Sequence, residues 1–118
     1  MSVAVATGYV RRMVQRESKG PGDIENAMRR IEQTYGLPFW SLWYLRKGKA
    51  KTCDTSLFAR IEGAYLDMCQ REVNGLLHEI ATVAARGARD VDLADMEAKA
   101  EALAERIAAR KQALRKAS

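Results

Sequence analysis

The side chains best suited to chemistry crowd between residues 38 and 51. Four aromatic residues, Phe39, Trp40, Trp43 and Tyr44, stand within six positions, and four cations, Arg46, Lys47, Lys49 and Lys51, occupy the next seven. Cations in such density suit a polyanion, because neutralising phosphates releases condensed counterions. The simpler alternative is a solvated basic face. The rings have three uses open to them: packing against neighbouring helices, forming a hot spot for a protein partner, or stacking on single-stranded bases. No Ser/His/Asp set, paired catalytic carboxylates, phosphate loop or metal-ligand spacing accompanies them, so neither catalysis nor a cofactor is expected.

Charge along the chain agrees with that focus. Residues 1–50 hold nine Lys or Arg against four acids, residues 51–90 hold five against six, and residues 91–118 hold six against five. The net charge of +5 therefore resides in the N-terminal half. Cys53 and Cys69 lack CxxC spacing and His78 is the one histidine, so zinc finds too few ligands and the thiols are expected to be reduced. Met13, Met28, Met68 and Met96 stand where gap-filling core residues belong. The N-terminus MSVAVATGYV does not read as a signal peptide, and no apolar run approaches the roughly 20 residues of a membrane span. A soluble, cytoplasmic protein with no membrane partner is the expectation.

Five helices must position these groups, and the fold expected is all-α. Val3, Ala6, Tyr9, Val10, Met13 and Val14 mark one side of a first helix over about 3–18, which the run Lys19-Gly20-Pro21-Gly22 breaks. Asp23 is placed to cap a second helix over about 24–35, carrying Ile24, Ala27, Met28, Ile31 and Tyr35. Gly36 ends it, since glycine takes positive φ at least cost. Pro38 suits the first turn of a short third helix over about 38–47, stopped by Gly48. Asp54 or Thr55 caps a long fourth helix over about 55–86. A hinge at Gly87-Ala88-Arg89-Asp90 leads to the last, over about 92–116.

These last two helices carry a heptad-like seam of Leu66, Cys69, Val73, Leu76, Ile80 and Val83, then Leu93, Met96, Leu103, Ile107 and Leu114. The short hinge folds them antiparallel. The expected organisation is a compact helix-turn-helix head over 1–65 and a long antiparallel helical hairpin over 66–118. Helices that outrun so small a head expose apolar positions, and a second subunit is their natural cover. The hairpin is thus the expected dimerisation region.

From Ile31 the chain reads IEQTYGLPFWSLWYLRKGK. Ile31 and Tyr35 hold the first helix of the pair to the core, Leu37 closes the turn, and Leu42 and Leu45 seat the second. This pattern, continued through LWYLRKGKAKTCDTSLFARIEGAY, resembles the helix-turn-helix of the phage repressor family, the group of Cro and the lambda-type repressors, over about residues 24–68. In that family a small residue usually stands where this chain has Glu32, which implies a more open crossing or a shifted register.

The resemblance implies a dimeric regulator that reads double-stranded DNA. Pro38, Phe39, Trp40, Ser41, Trp43, Tyr44 and Lys47 would then face bases, and Arg29, Arg30, Arg46, Lys49 and Lys51 would meet phosphates. An interaction protein that offers Trp40, Trp43 and Tyr44 to another protein, as an adaptor or antirepressor does, is the other reading.

Overall fold

The computed structural model describes residues 2–87 and 91–117. Among them the fold is all-α, with helices α1 (Val3–Glu17), α2 (Ile24–Tyr35), α3 (Phe39–Arg46), α4 (Thr55–Ala85) and α5 (Val91–Ala117), and no strand. A single 3-10 turn, Pro21–Asp23, separates α1 from α2. The chain divides into two compact units, Met1–Tyr65 and Leu66–Ser118. No described helix is long and apolar enough to cross a membrane.

In the first unit α1 packs on both α2 and α3. Ser2 caps α1, its Oγ accepting from the Val5 amide at 3.2 Å. The three-four spacing of Ala6, Val10, Met13 and Val14 drives one face of α1 into the core, where Ala27, Met28 and Ile31 of α2 meet it. Leu42 and Leu45 of α3 and Ile61 of α4 complete this core, all almost wholly buried. Asp54 is the cap of α4, accepting from the Leu57 amide at 2.7 Å. The start of α4 is held against α1 by Tyr9, which stacks on Tyr65 with ring centroids 4.7 Å apart.

Asp23 does not cap α2 through its side chain. Its carboxylate instead accepts from the Lys19 amide at 2.9 Å and from Arg30 Nη2 at 2.6 Å. These stronger, charge-assisted bonds turn it back towards the end of α1.

The second unit is an antiparallel hairpin. Lys111 Nζ near the end of α5 donates to Asp67 Oδ1 at 2.9 Å and Gln70 Oε1 at 2.8 Å near the unit's beginning. Gly87, with φ 95°, closes the turn that ends α4; the remainder of the expected hinge, Ala88, Arg89 and Asp90, lies outside the described residues. The apolar positions expected to form one seam fall into three groups. Val73 and Ile107 are buried, and Leu66, Cys69, Ile80, Leu93 and Leu114 are half-buried. Leu76, Val83, Met96 and Leu103 are exposed. A heptad pattern marks a stripe wider than one neighbouring helix covers, so part of it remains on the surface.

Candidate nucleic-acid interface

Between α2 and α3 the chain reverses at Gly36, whose φ of 70° and ψ of 20° put it in the left-handed region. Its amide closes α2 on the Glu32 carbonyl at 2.8 Å. From α4, Arg60 donates to the Gly36 carbonyl and so ties the turn to the body of the unit.

The start of α3 has an uncommon solution. Pro38 occupies the cap position and has no side-chain acceptor to offer. Glu32 reaches across from α2 instead, its Oε2 accepting from the Phe39 amide at 3.0 Å. One carboxylate thus satisfies a helix-end donor and sets a negative charge at the positive end of the α3 dipole. Here Glu32 is a brace between the two helices.

The other end of α3 is equally well made. Gly48, at φ 72°, lets the Lys49 amide reach back to the Tyr44 carbonyl at 2.9 Å, while the Gly48 amide meets the Leu45 carbonyl at 3.1 Å. This six-to-one and five-to-two pairing is a Schellman ending. Arg11 on α1 adds a further bond from Nε to the Arg46 carbonyl at 3.0 Å. Side chains from α1, α2 and α4 therefore fix α3 and its preceding turn.

What α3 presents differs in part from the expected reading surface. Phe39 is only 8% exposed, so it faces the core rather than a partner. The Arg29 guanidinium lies over the face of its ring, 4.6 Å from the centroid. Trp40 is 63% exposed and Tyr44 47%, making these the outward rings. Trp43 is half-buried, as is Ser41, while Pro38 and Lys47 are exposed.

The rings support one another. Trp40 meets Trp43 at 5.8 Å between centroids, and Trp43 meets Tyr44 at 5.1 Å and 87°. Such edge-to-face contacts hold an aromatic ridge in place along the helix. Lys47 and Lys49 bring their ammonium groups to 5.9 and 5.4 Å from the Trp43 ring centroid, so the cations continue directly from the ridge.

Of the expected phosphate contacts, Lys49 and Lys51 are exposed and Arg46 is half-buried. Arg29 is engaged with Glu25 at 3.1 Å as well as with the Phe39 ring. Arg30 is half-buried and already engaged. Its guanidinium bonds Glu17 Oε1 at 2.8 Å, the Glu17 carbonyl at 2.9 Å and Asp23 Oδ2 at 2.6 Å. Those bonds keep Arg30 charged well above its ordinary range, with the Asp23 bond the larger cause, and hold the Asp23 carboxyl below its own. Arg30 clamps the α1–α2 connection.

Sequence reasoning also left Arg11 out. It lines, with Gln15, Ser18, Arg46, Lys47 and others, a groove of about 580 Å³ beside the end of α3. A smaller hollow of about 220 Å³ includes Ser41, Tyr44, Lys49 and Thr52. The signal for Arg11 lay in its place on the polar side of α1, yet nothing local linked it to α3.

Comparison with protein-family models, with curated proteins and with solved structures finds no match for this chain.

No group of three or more His, Cys, Asp or Glu side chains among the described residues is arranged to hold a metal ion. Cys53 is buried, and burial, with the neighbouring Asp54 carboxylate, pushes its thiol upward. A protonated buried thiol is a poor nucleophile, and Cys53 fills core space.

Proposed function

We propose that this chain is a sequence-specific double-stranded DNA-binding transcriptional regulator of the phage- or mobile-element-repressor kind, acting as a homodimer. The observation that carries the reading is α3 itself. It is a short helix after a glycine turn, braced by Glu32, Arg60 and Arg11, with an exposed face that runs straight into Lys47 and Lys49. A rigid outward helix bordered by cations is what major-groove entry demands, with the cations on phosphates and the helix at base edges.

On this proposal Trp40 and Tyr44 contact the groove, where a ring can lie against a thymine methyl and the Tyr44 hydroxyl can bond an edge or phosphate. Ser41 lies between them in sequence and supplies a hydroxyl. Lys47, Lys49 and Lys51 provide affinity that falls with salt. Regulation follows from occupying an operator, without catalysis, in the cytoplasm and on the DNA it binds.

The exposure of Trp40 and Tyr44 favours a second reading, an adaptor or antirepressor that binds protein, because aromatic rings dominate such contacts. Selection of bound sites from a random duplex pool separates the two. Enrichment of a palindromic sequence is the outcome expected of the DNA-binding dimer; a pool that never departs from random composition contradicts it.

A further inference from the structure

The hairpin carries an apolar face that its own two helices leave uncovered. Leu76, Val83, Met96 and Leu103 are between 42% and 54% exposed. Their placement is regular. The bonds from Lys111 to Asp67 and Gln70 set the register of α4 against α5, and that register places Leu76 level with Leu103 and Val83 level with Met96. At about 100° per residue, Leu76 and Val83 lie roughly 60–80° round α4 from buried Val73, and Leu103 and Met96 roughly 20–40° round α5 from buried Ile107. In antiparallel helices, rotations of the same sense swing towards the same side of the hairpin. All four side chains thus belong to one face, in two layers spaced by about 10 Å.

Four of the charges beside this face are arranged in a regular way. Exposed Glu72 and Glu79 border it on α4, and exposed Arg106 and Lys99 border it on α5, where Lys99 also pairs with Asp95 of its own helix at 2.9 Å. The same register sets Glu72 level with Arg106 and Glu79 level with Lys99. These two acids and two bases are complementary to their own copies under one symmetry. A two-fold axis parallel to the helices lays α4 of one copy over α5 of the other at unchanged level. Each acid then stands across from a base. An axis perpendicular to the helices sets α4 over α4 and opposes like charges.

We propose that a second copy of this chain covers the Leu76, Val83, Met96 and Leu103 face in a four-helix bundle. Its two-fold axis runs along the helices, so that Glu72 and Glu79 of each copy meet Arg106 and Lys99 of the other. This gives the dimer invoked above a definite seam, and it brings both Leu66 residues to one end of the bundle. The interface is isologous and closed, so association stops at two copies.

Sedimentation equilibrium of the full chain, without DNA, tests the seam apart from the DNA reading, which is followed by duplex binding on the same samples. The native chain is expected to be a dimer. Two charge-reversed variants, E72K/E79K and K99E/R106E, change only exposed positions, and their helicity by circular dichroism should match the native chain. Each variant alone opposes like charges at four contacts and should weaken dimerisation by about tenfold or more. An equimolar mixture of the two restores every opposite pair and should return heterodimers close to native affinity. A monomeric native chain, variants that dimerise as the native chain does, or a mixture no tighter than its components would each overturn the proposal.

Discussion

Glu32 on α2 accepts a hydrogen bond from the backbone amide of Phe39, the first residue of α3, at 3.0 Å. The two residues lie on either side of the Gly36 turn, so a single bond caps one helix and fixes its position against the other. Glu32→Ala should therefore lower stability by about 1 kcal/mol, as loss of a helix cap does. Glu32→Gln keeps an acceptor and should recover part of that loss, the remainder being the charge at the helix end. Urea unfolding of the three proteins checks the order; equal stability of native and Ala forms would remove the brace from the account.

Phe39 and Trp40 are adjacent and their rings meet edge to face at 5.2 Å, but Phe39 is buried and Trp40 exposed. Phe39→Ala opens the core and should cost about 3 kcal/mol. Trp40→Ala should change stability by no more than about 0.5 kcal/mol, as exposed positions do, and yet weaken binding of the partner. Thermal unfolding paired with a binding assay tests this split.

Arg30 was read from the sequence as a phosphate contact, and its bonds to Glu17 and Asp23 give it a different fate. Arg30→Met should destabilise the first unit, with duplex affinity unchanged at temperatures where the variant is folded. Lys47→Ala and Lys49→Ala should do the reverse, lowering affinity and leaving stability near native.

The same clamp predicts a pH dependence. The Arg30 bond, followed by the Lys19 amide, holds the Asp23 carboxyl below its ordinary value of 3.8. A carboxyl lowered by folding contributes stability that is fully present above that value and is lost as pH falls through the lowered one. Arg30 itself remains charged across this range and adds no further dependence. The stability difference between native and Asp23→Asn proteins should hold steady from neutral pH to about 5 and shrink below about 4. Denaturant titrations at stepped pH measure it, and a difference that grew on acidification would contradict the clamp.

Gly48 combines a positive φ with a neighbour, since a Cβ there would stand 3.3 Å from Arg11 Nη2. Gly48→Ala should cost about 1 kcal/mol from the backbone alone. It also loosens the Lys49 and Arg11 bonds that finish α3, so affinity for the partner should fall with stability. Calorimetric unfolding and a binding titration on the same preparation test both effects.

Much of the fold was legible in the chain because the signals were local. Gly36, Gly48 and Asp54 mark helix ends through their own backbone or side-chain chemistry, and the ends fell within one or two residues of the expected places. The side of α3 that faces inward was legible only in part: Leu42 and Leu45 were expected there and are buried, but Phe39 was not. Its sequence FWSLWYLR is apolar almost all round, so no polar face orients it, and Phe39 was assigned outward with Trp40. The engagement of Arg30 was not legible because its acids come from 13 and 7 residues away, Glu17 from across the Gly20 and Pro21 bend. Glu32 stood out by type, but only the closure of the turn brings it to the Phe39 amide. The heptad list for the hairpin did not separate the buried Val73 and Ile107 from the exposed Leu76 and Leu103. That separation depends on the register set by Lys111.

The central claim is that the exposed face of α3 and its lysines bind duplex DNA. Fluorescence anisotropy of a labelled random-sequence duplex, titrated with the full chain at stepped salt, tests it most directly. Measurable binding at low salt is expected, with a steep linear fall of log affinity with log salt. For Lys47→Ala and Lys49→Ala, the expected slope is shallower by about 0.9 for each phosphate contact removed. No duplex binding at the lowest salt, or slopes unmoved by either substitution, would contradict it.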